Sequence, residues 1–113
     1  MVTRRSATLG PDARPVSIPD DIAETSVDKA HGRVELPLHV RWSGASKIYD
    51  LGRRRDRLRV YEQILSEGNE DDVRRFIDLD QLLELWGELA LPRRVRRAWA
   101  EWYWQHRGIQ LSC

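Results

Sequence analysis

The sequence predicts a mainly α chain: a short N-terminal β-hairpin followed by a compact bundle of about four helices, behind a flexible leader. Three observations predict it. Apolar residues alternate with period two over Val34–Trp42, and from about Arg54 they recur at helical spacing. The first 33 residues hold no aromatic side chain and are punctuated by Pro11, Pro15 and Pro19. At 113 residues the chain is one domain at most. With the leader set aside, roughly 80 residues remain to build a core, a size at which stability is marginal. Five Trp, three Tyr and one Phe offset this in part, since each large ring buries roughly 150–250 Å².

Met1–Arg33 is expected to be a flexible tail, because its Ser, Thr and charged residues bury too little apolar surface to repay ordering entropy. It reads either as a disordered leader, including one added by an early start codon, or as a segment that folds on a partner. Within it, Asp20-Asp21-Ile22-Ala23-Glu24 can start a short helix, with acids in the first turn. Residues 34–113 then form the domain.

In Val34–Trp42, Val34, Leu36, Leu38, Val40 and Trp42 alternate with Glu35, Pro37, His39 and Arg41. This is the pattern of a half-buried strand, and Pro37, which has no N–H, places it at a sheet edge. Ser43-Gly44-Ala45-Ser46 reads as a turn. Pairing Trp42 with Lys47, Val40 with Tyr49 and Leu38 with Leu51 puts apolar residues on one face. A hairpin is not stable alone, so that face needs helices or a partner.

Leu58, Tyr61, Ile64 and Leu65 form the stripe of a first helix from about Arg54, with Val60 beside it. Asp50 is a candidate cap and Gly68 stands at the C′ position. Asn69 followed by Glu70, Asp71 and Asp72 announces a second helix, with Val73, Phe76 and Ile77 buried. Asp78 or Asp80 caps a third, with Leu79, Leu82, Leu83, Trp86 and Leu89 inward and Gly87 weakening its end. Leu91-Pro92 opens the last helix, Pro92–Arg107, whose stripe is Val95, Ala98, Trp99, Trp102 and Tyr103.

Charge is segregated along the helices although the net charge is only +1. Arg53–Arg59 carries +4, Val60–Leu91 carries −7, and Pro92–Cys113 carries +4. Seventeen of the nineteen cations are arginine. That reflects either the codon usage of a GC-rich genome or the fitness of guanidinium forks for interfaces and phosphates. Arg93, Arg94, Arg96 and Arg97 stand at a helix N-terminus, where the macrodipole disfavours cations. They must pair with the acidic middle of the chain or with something anionic outside it. Trp104 lies off the core stripe, beside Arg97 and Glu101, and is a candidate contact for a partner protein. Together Arg93, Arg94, Arg96, Arg97 and Trp104 make the expected partner-binding set.

Catalytic signatures are lacking: there is no GxxxxGK[ST], GxGxxG or HExxH. His31, His39 and His106 are isolated, and His39 is expected to be solvated. The run Glu70-Asp71-Asp72 is accounted for by helix capping, so no metal and no cofactor are expected, and no enzyme. Cys113 has no partner for an internal disulfide, which fits a reduced, cytoplasmic compartment. No apolar run reaches the roughly 18 residues of a membrane span, and Arg4-Arg5 precede no apolar segment of a signal peptide. A second functional class is a small helix-turn-helix-like transcriptional regulator, with Leu79–Trp86 and Pro92–Arg107 as its helix pair. Arg53, Arg54, Arg55, Arg57 and Arg59 are the candidate phosphate contacts in that reading. Against it stand the near-neutral charge and the half-aromatic last helix.

Four segments, read together, carry a family resemblance. They are Trp42-Ser43-Gly44 with Tyr49-Asp50-Leu51; Arg59-Val60-Tyr61-Glu62 with Ile64-Leu65-Ser66-Glu67-Gly68; Asp72-Val73-Arg74-Arg75-Phe76-Ile77-Asp78; and Leu91-Pro92 with Val95-Arg96-Arg97-Ala98-Trp99. Over about Pro37–Trp99 the chain resembles small actinobacterial proteins similar to antitoxin-type partners of AbiE-like nucleotidyltransferase toxins. The chain lacks the Gly-Ser and paired-Asp pattern of such a toxin. The resemblance therefore implies a non-catalytic protein that covers a cognate toxin, with autoregulation through DNA as an added expectation.

Overall fold

The computed structural model describes residues 16–24, 29–42 and 47–112. It is mainly helical, with a two-stranded antiparallel hairpin followed by four helices, as expected. The strands are β1 (Arg33–Glu35) and β2 (Ile48–Asp50); the helices are α1 (Arg54–Glu67), α2 (Glu70–Phe76), α3 (Leu79–Leu85) and α4 (Arg93–Arg107). The chain divides into two units, one spanning Ser17–Leu91 and one containing α4.

In the first unit, α1 supplies the central packing surface: Val60 and Ile64 are fully buried, and Tyr61 and Leu65 nearly so. Val73, Phe76 and Ile77 are buried as the sequence predicts, and so are Leu79, Leu82, Trp86 and Leu89. Leu83 is only half-buried while Leu85 is fully buried. Ordinary helical spacing accounts for this: Leu82, Leu85, Trp86 and Leu89 stand at i, i+3, i+4 and i+7 on one face, and Leu83 lies at its margin.

Helix termini follow capping chemistry at two sites and depart from it at two others. Asn69 closes a reciprocal capping box with Asp72, its Oδ1 accepting from Asp72 N and Asp72 Oδ2 accepting from Asn69 N, both at 2.9 Å. Asp78 caps α3 by accepting from Asp80 N and Gln81 N. Asp50 does not cap α1; Arg53 occupies that position without a side-chain bond, and Asp50 Oδ1 instead accepts from Gly52 N at 2.9 Å. Gly68 ends α1 but not in the left-handed region, with φ of −75°. It is glycine for want of space: a Cβ there would lie 2.6 Å from the Ile64 carbonyl oxygen.

The hairpin differs from the expected one. Only three residues pair on each side, Arg33 with Asp50, Val34 with Tyr49 and Glu35 with Ile48, so the Val34–Trp42 strand and its Trp42–Lys47 register are corrected. Pro37 ends the strand: without an N–H it cannot extend the ladder, and its φ of −57° starts a 3-10 turn over Leu38–Val40. Consequently Leu36 and Val40 are buried while Leu38 and Trp42 are exposed. The turn expected at 43–46 lies outside the described residues.

Buried polar side chains tie this connection to the helices. Gln63 Oε1 accepts from Trp42 N at 3.2 Å and its amide donates to Tyr49 Oη at 3.0 Å. His39 is exposed, as expected, and its Nε2 also meets the buried Asp72 at Oδ2, 2.6 Å away. Glu62 accepts from Ala90 N at 2.8 Å. From Ser17 onward the described part of the expected tail also belongs to this unit. Ile22, in a 3-10 turn at Ile22–Glu24, is 1% exposed, and Ala30 N donates to Arg75 O at 2.8 Å. Asp21 accepts from Arg74 Nε at 2.8 Å, a bond that lowers the Asp21 pKa.

A candidate protein-interaction face on the last helix

Helix α4 starts at Arg93 with Pro92 as N-cap, where the missing proline N–H costs nothing because that donor has no intrahelical acceptor. It ends at Gly108, whose φ of 64° is the left-handed turn that ordinary side chains resist. Gly108 N donates to Trp104 O at 3.1 Å, the bond of an αL cap, and Ile109 N reaches back to Tyr103 O at 3.2 Å. Val95, Trp99, Trp102 and Tyr103 are buried, with Trp102 and Tyr103 edge-on at 5.2 Å. Ala98, expected inside, is half-buried, and Ala100 is buried in its place. His106 stacks on Trp102 at 4.6 Å and is fixed by its Nδ1 contact with Trp102 O.

The opposite side of α4 carries the expected partner contacts. Trp104 is 60% exposed. Arg93 and Arg97 are exposed and enter no ion pair among the described residues. Spacings of four and seven residues put Arg93, Arg97 and Trp104 on one face. Arg94 and Arg96 are half-buried and already engaged in interactions within the protein. The four arginines therefore divide into two that are exposed without an ion pair among the described residues and two that are engaged.

Past Gly108 the chain returns alongside the helix. Gln110 and Leu111 join Arg97, Ala100, Glu101 and Trp104 around a groove of about 410 Å³. Sequence reading missed Gln110, Leu111 and Ala100; the available signal was the glycine at Gly108, which turns the chain back after the helix. Glu101, the one acid in the groove among the described residues, is occupied, accepting from Gln105 Nε2 at 2.8 Å.

The other candidate set, Arg53, Arg54, Arg55, Arg57 and Arg59, is largely tied into the first unit. Arg54 forms an ion pair with Glu88, which raises the arginine pKa and lowers that of Glu88 through their hydrogen bond. Arg57 donates to Leu51 O at 3.1 Å, Arg59 lies 3.5 Å from Glu62, and Arg53 lies 3.9 Å from Asp50. Arg55 is exposed.

Among the described residues no group of three His, Cys, Asp or Glu side chains converges as a metal site. No helix among them is long and apolar enough to cross a membrane. No family model, curated protein or solved structure matches the chain.

Proposed function

We propose that the chain is a non-catalytic protein-interaction module of the antitoxin type. The outward face of α4 would meet a cognate cytoplasmic partner, a nucleotidyltransferase-type toxin in the reading that the family resemblance implies. The observation that carries the interaction reading is Trp104, 60% exposed beside a groove and on one face with Arg93 and Arg97. Trp and Arg dominate interface energetics because each combines a large apolar or planar body with hydrogen-bond donors. Unpaired guanidinium groups on that face select a partner surface bearing Asp or Glu around an apolar pocket.

Co-expression with the protein encoded beside it, followed by gel filtration, tests the proposal. Coelution is expected, and Trp104→Ala or Arg97→Glu abolishes it without lowering the melting temperature. A free monomer beside an uninhibited neighbour sinks the idea. A salt-dependent gel shift on promoter DNA, lost on Arg93/Arg94/Arg96/Arg97→Ala, would transfer these residues to the DNA-binding reading.

A further inference from the structure

Four buried side-chain polar atoms among the described residues have no hydrogen-bond partner: Arg57 Nε, Ser66 Oγ, Gln81 Oε1 and Trp99 Nε1. Two of the four, Arg57 and Gln81, belong to residues lining the same pocket, about 300 Å³ in volume, between α1, α3 and the approach to β1. The residues lining it include the apolar Leu51 and Phe76, the aromatic Tyr61, and the polar or charged Lys29, His31, Arg57 and Asp78. This is the make-up of a small-molecule site, an apolar body with a few convergent polar groups.

The polar groups specify what enters. Arg57 uses Nη1 on Leu51 O, leaving the Nε–H without an acceptor. Lys29 donates to Arg74 O at 2.6 Å and retains two further N–H donors. Tyr61 accepts from Asp78 N at 3.0 Å, and burial pushes its pKa up to about 12, so the hydroxyl keeps its proton and stays a donor. Among the described residues Asp78 is the one carboxylate in the wall, and its Oδ1 is already held by the N–H groups of Asp80 and Gln81. Two cations against one anion leave one positive charge. Gln81 Oε1 is an acceptor awaiting a donor.

From the two unpartnered atoms, the residual charge and the apolar walls, we infer that this pocket binds a small monocarboxylate. Its carboxylate meets Lys29 and Arg57, its apolar body lies against Phe76 and Leu51, and a hydroxyl or amino donor on it reaches Gln81. The inference is independent of the α4 face, since every lining residue belongs to the Ser17–Leu91 unit.

Chemical-shift titration of the ¹⁵N-labelled full chain with benzoate, benzyl alcohol and inorganic phosphate tests it. Benzoate is expected to shift the amides of His31, Gly32, Gly52 and Gln81 saturably. Benzyl alcohol, lacking the charge, should bind at least about tenfold more weakly, and phosphate, lacking the apolar body, should not saturate. Lys29→Met should weaken benzoate about tenfold through loss of a charged hydrogen bond. Gln81→Glu, which keeps the shape and adds a like charge, should abolish binding while leaving the remaining amide spectrum intact. Equal binding of benzoate and benzyl alcohol, saturable phosphate binding, or undiminished benzoate affinity in Gln81→Glu would overturn the inference.

Discussion

Tyr61→Phe removes one oxygen from the core of the first unit, and its effect should depend on pH in a calculable way. The Tyr61 hydroxyl, on a side chain 4% exposed, accepts from the Asp78 backbone N–H at 3.0 Å, at the residue that caps α3. Without that acceptor the buried N–H is left unmade, at a cost of about 1–3 kcal/mol near neutral pH. Burial also pushes the Tyr61 pKa from 10.0 up to about 12. A folded pKa above the unfolded one means that the unfolded chain releases the proton first. The tyrosine's contribution is thus complete below pH 10 and is lost as pH rises toward 12. Each unit in that window costs about 1.4 kcal/mol, so the wild type should lose about 2 kcal/mol by pH 11.5 that Tyr61→Phe does not lose. Lys29, whose pKa is lowered by burial, contributes with the opposite sign as pH rises toward its unfolded value. It is common to both proteins and cancels in the difference. Urea unfolding followed by tryptophan fluorescence at pH 7, 9.5 and 11.5 measures the gap. A gap that stays constant or widens between pH 9.5 and 11.5 would refute the reasoning.

Other outcomes follow from the same contacts. Gly68→Ala should destabilise by about 1–3 kcal/mol through overpacking, because the new Cβ meets the Ile64 carbonyl oxygen at 2.6 Å. Gly87→Ala, where a Cβ meets nothing within 4 Å, should instead stabilise by about 0.4–1 kcal/mol by narrowing the unfolded ensemble; denaturant midpoints of the two variants decide both. Asn69→Ala leaves Asp72 N without its capping oxygen and should cost about 1 kcal/mol, with amide exchange in the α2 first turn accelerating most. Trp104→Ala should leave the unfolding midpoint unchanged, within about 0.5 kcal/mol for an exposed site, while removing partner capture in the co-expression assay.

The amino-acid sequence by itself determined the helices, their order and most of their termini. Caps and periods are interactions within a few residues of one another: Asn69 with Asp72, Asp78 with Gln81, and the steps of three and four through Val95, Trp99, Trp102 and Tyr103. Local chemistry suffices to read them. It also placed Trp104 outside the core, because a helix has only one angular position for each residue. The hairpin register was decided elsewhere. Alternation over Val34–Trp42 fits a nine-residue strand, yet the ladder stops at Glu35, since Pro37 begins a turn and Gln63 and Asp72, distant in sequence, hold Trp42 and His39 in their new places. The candidate sites divide in the same way. Arginines 93, 94, 96 and 97 are equivalent as letters, yet the folded chain engages Arg94 and Arg96, while Arg93 and Arg97 are exposed and enter no ion pair among the described residues. The pocket with its unpartnered Arg57 and Gln81 was invisible beforehand, because nothing local relates two residues 24 positions apart. Whether a polar atom finds a partner is set by which segments the folded chain brings within hydrogen-bond reach.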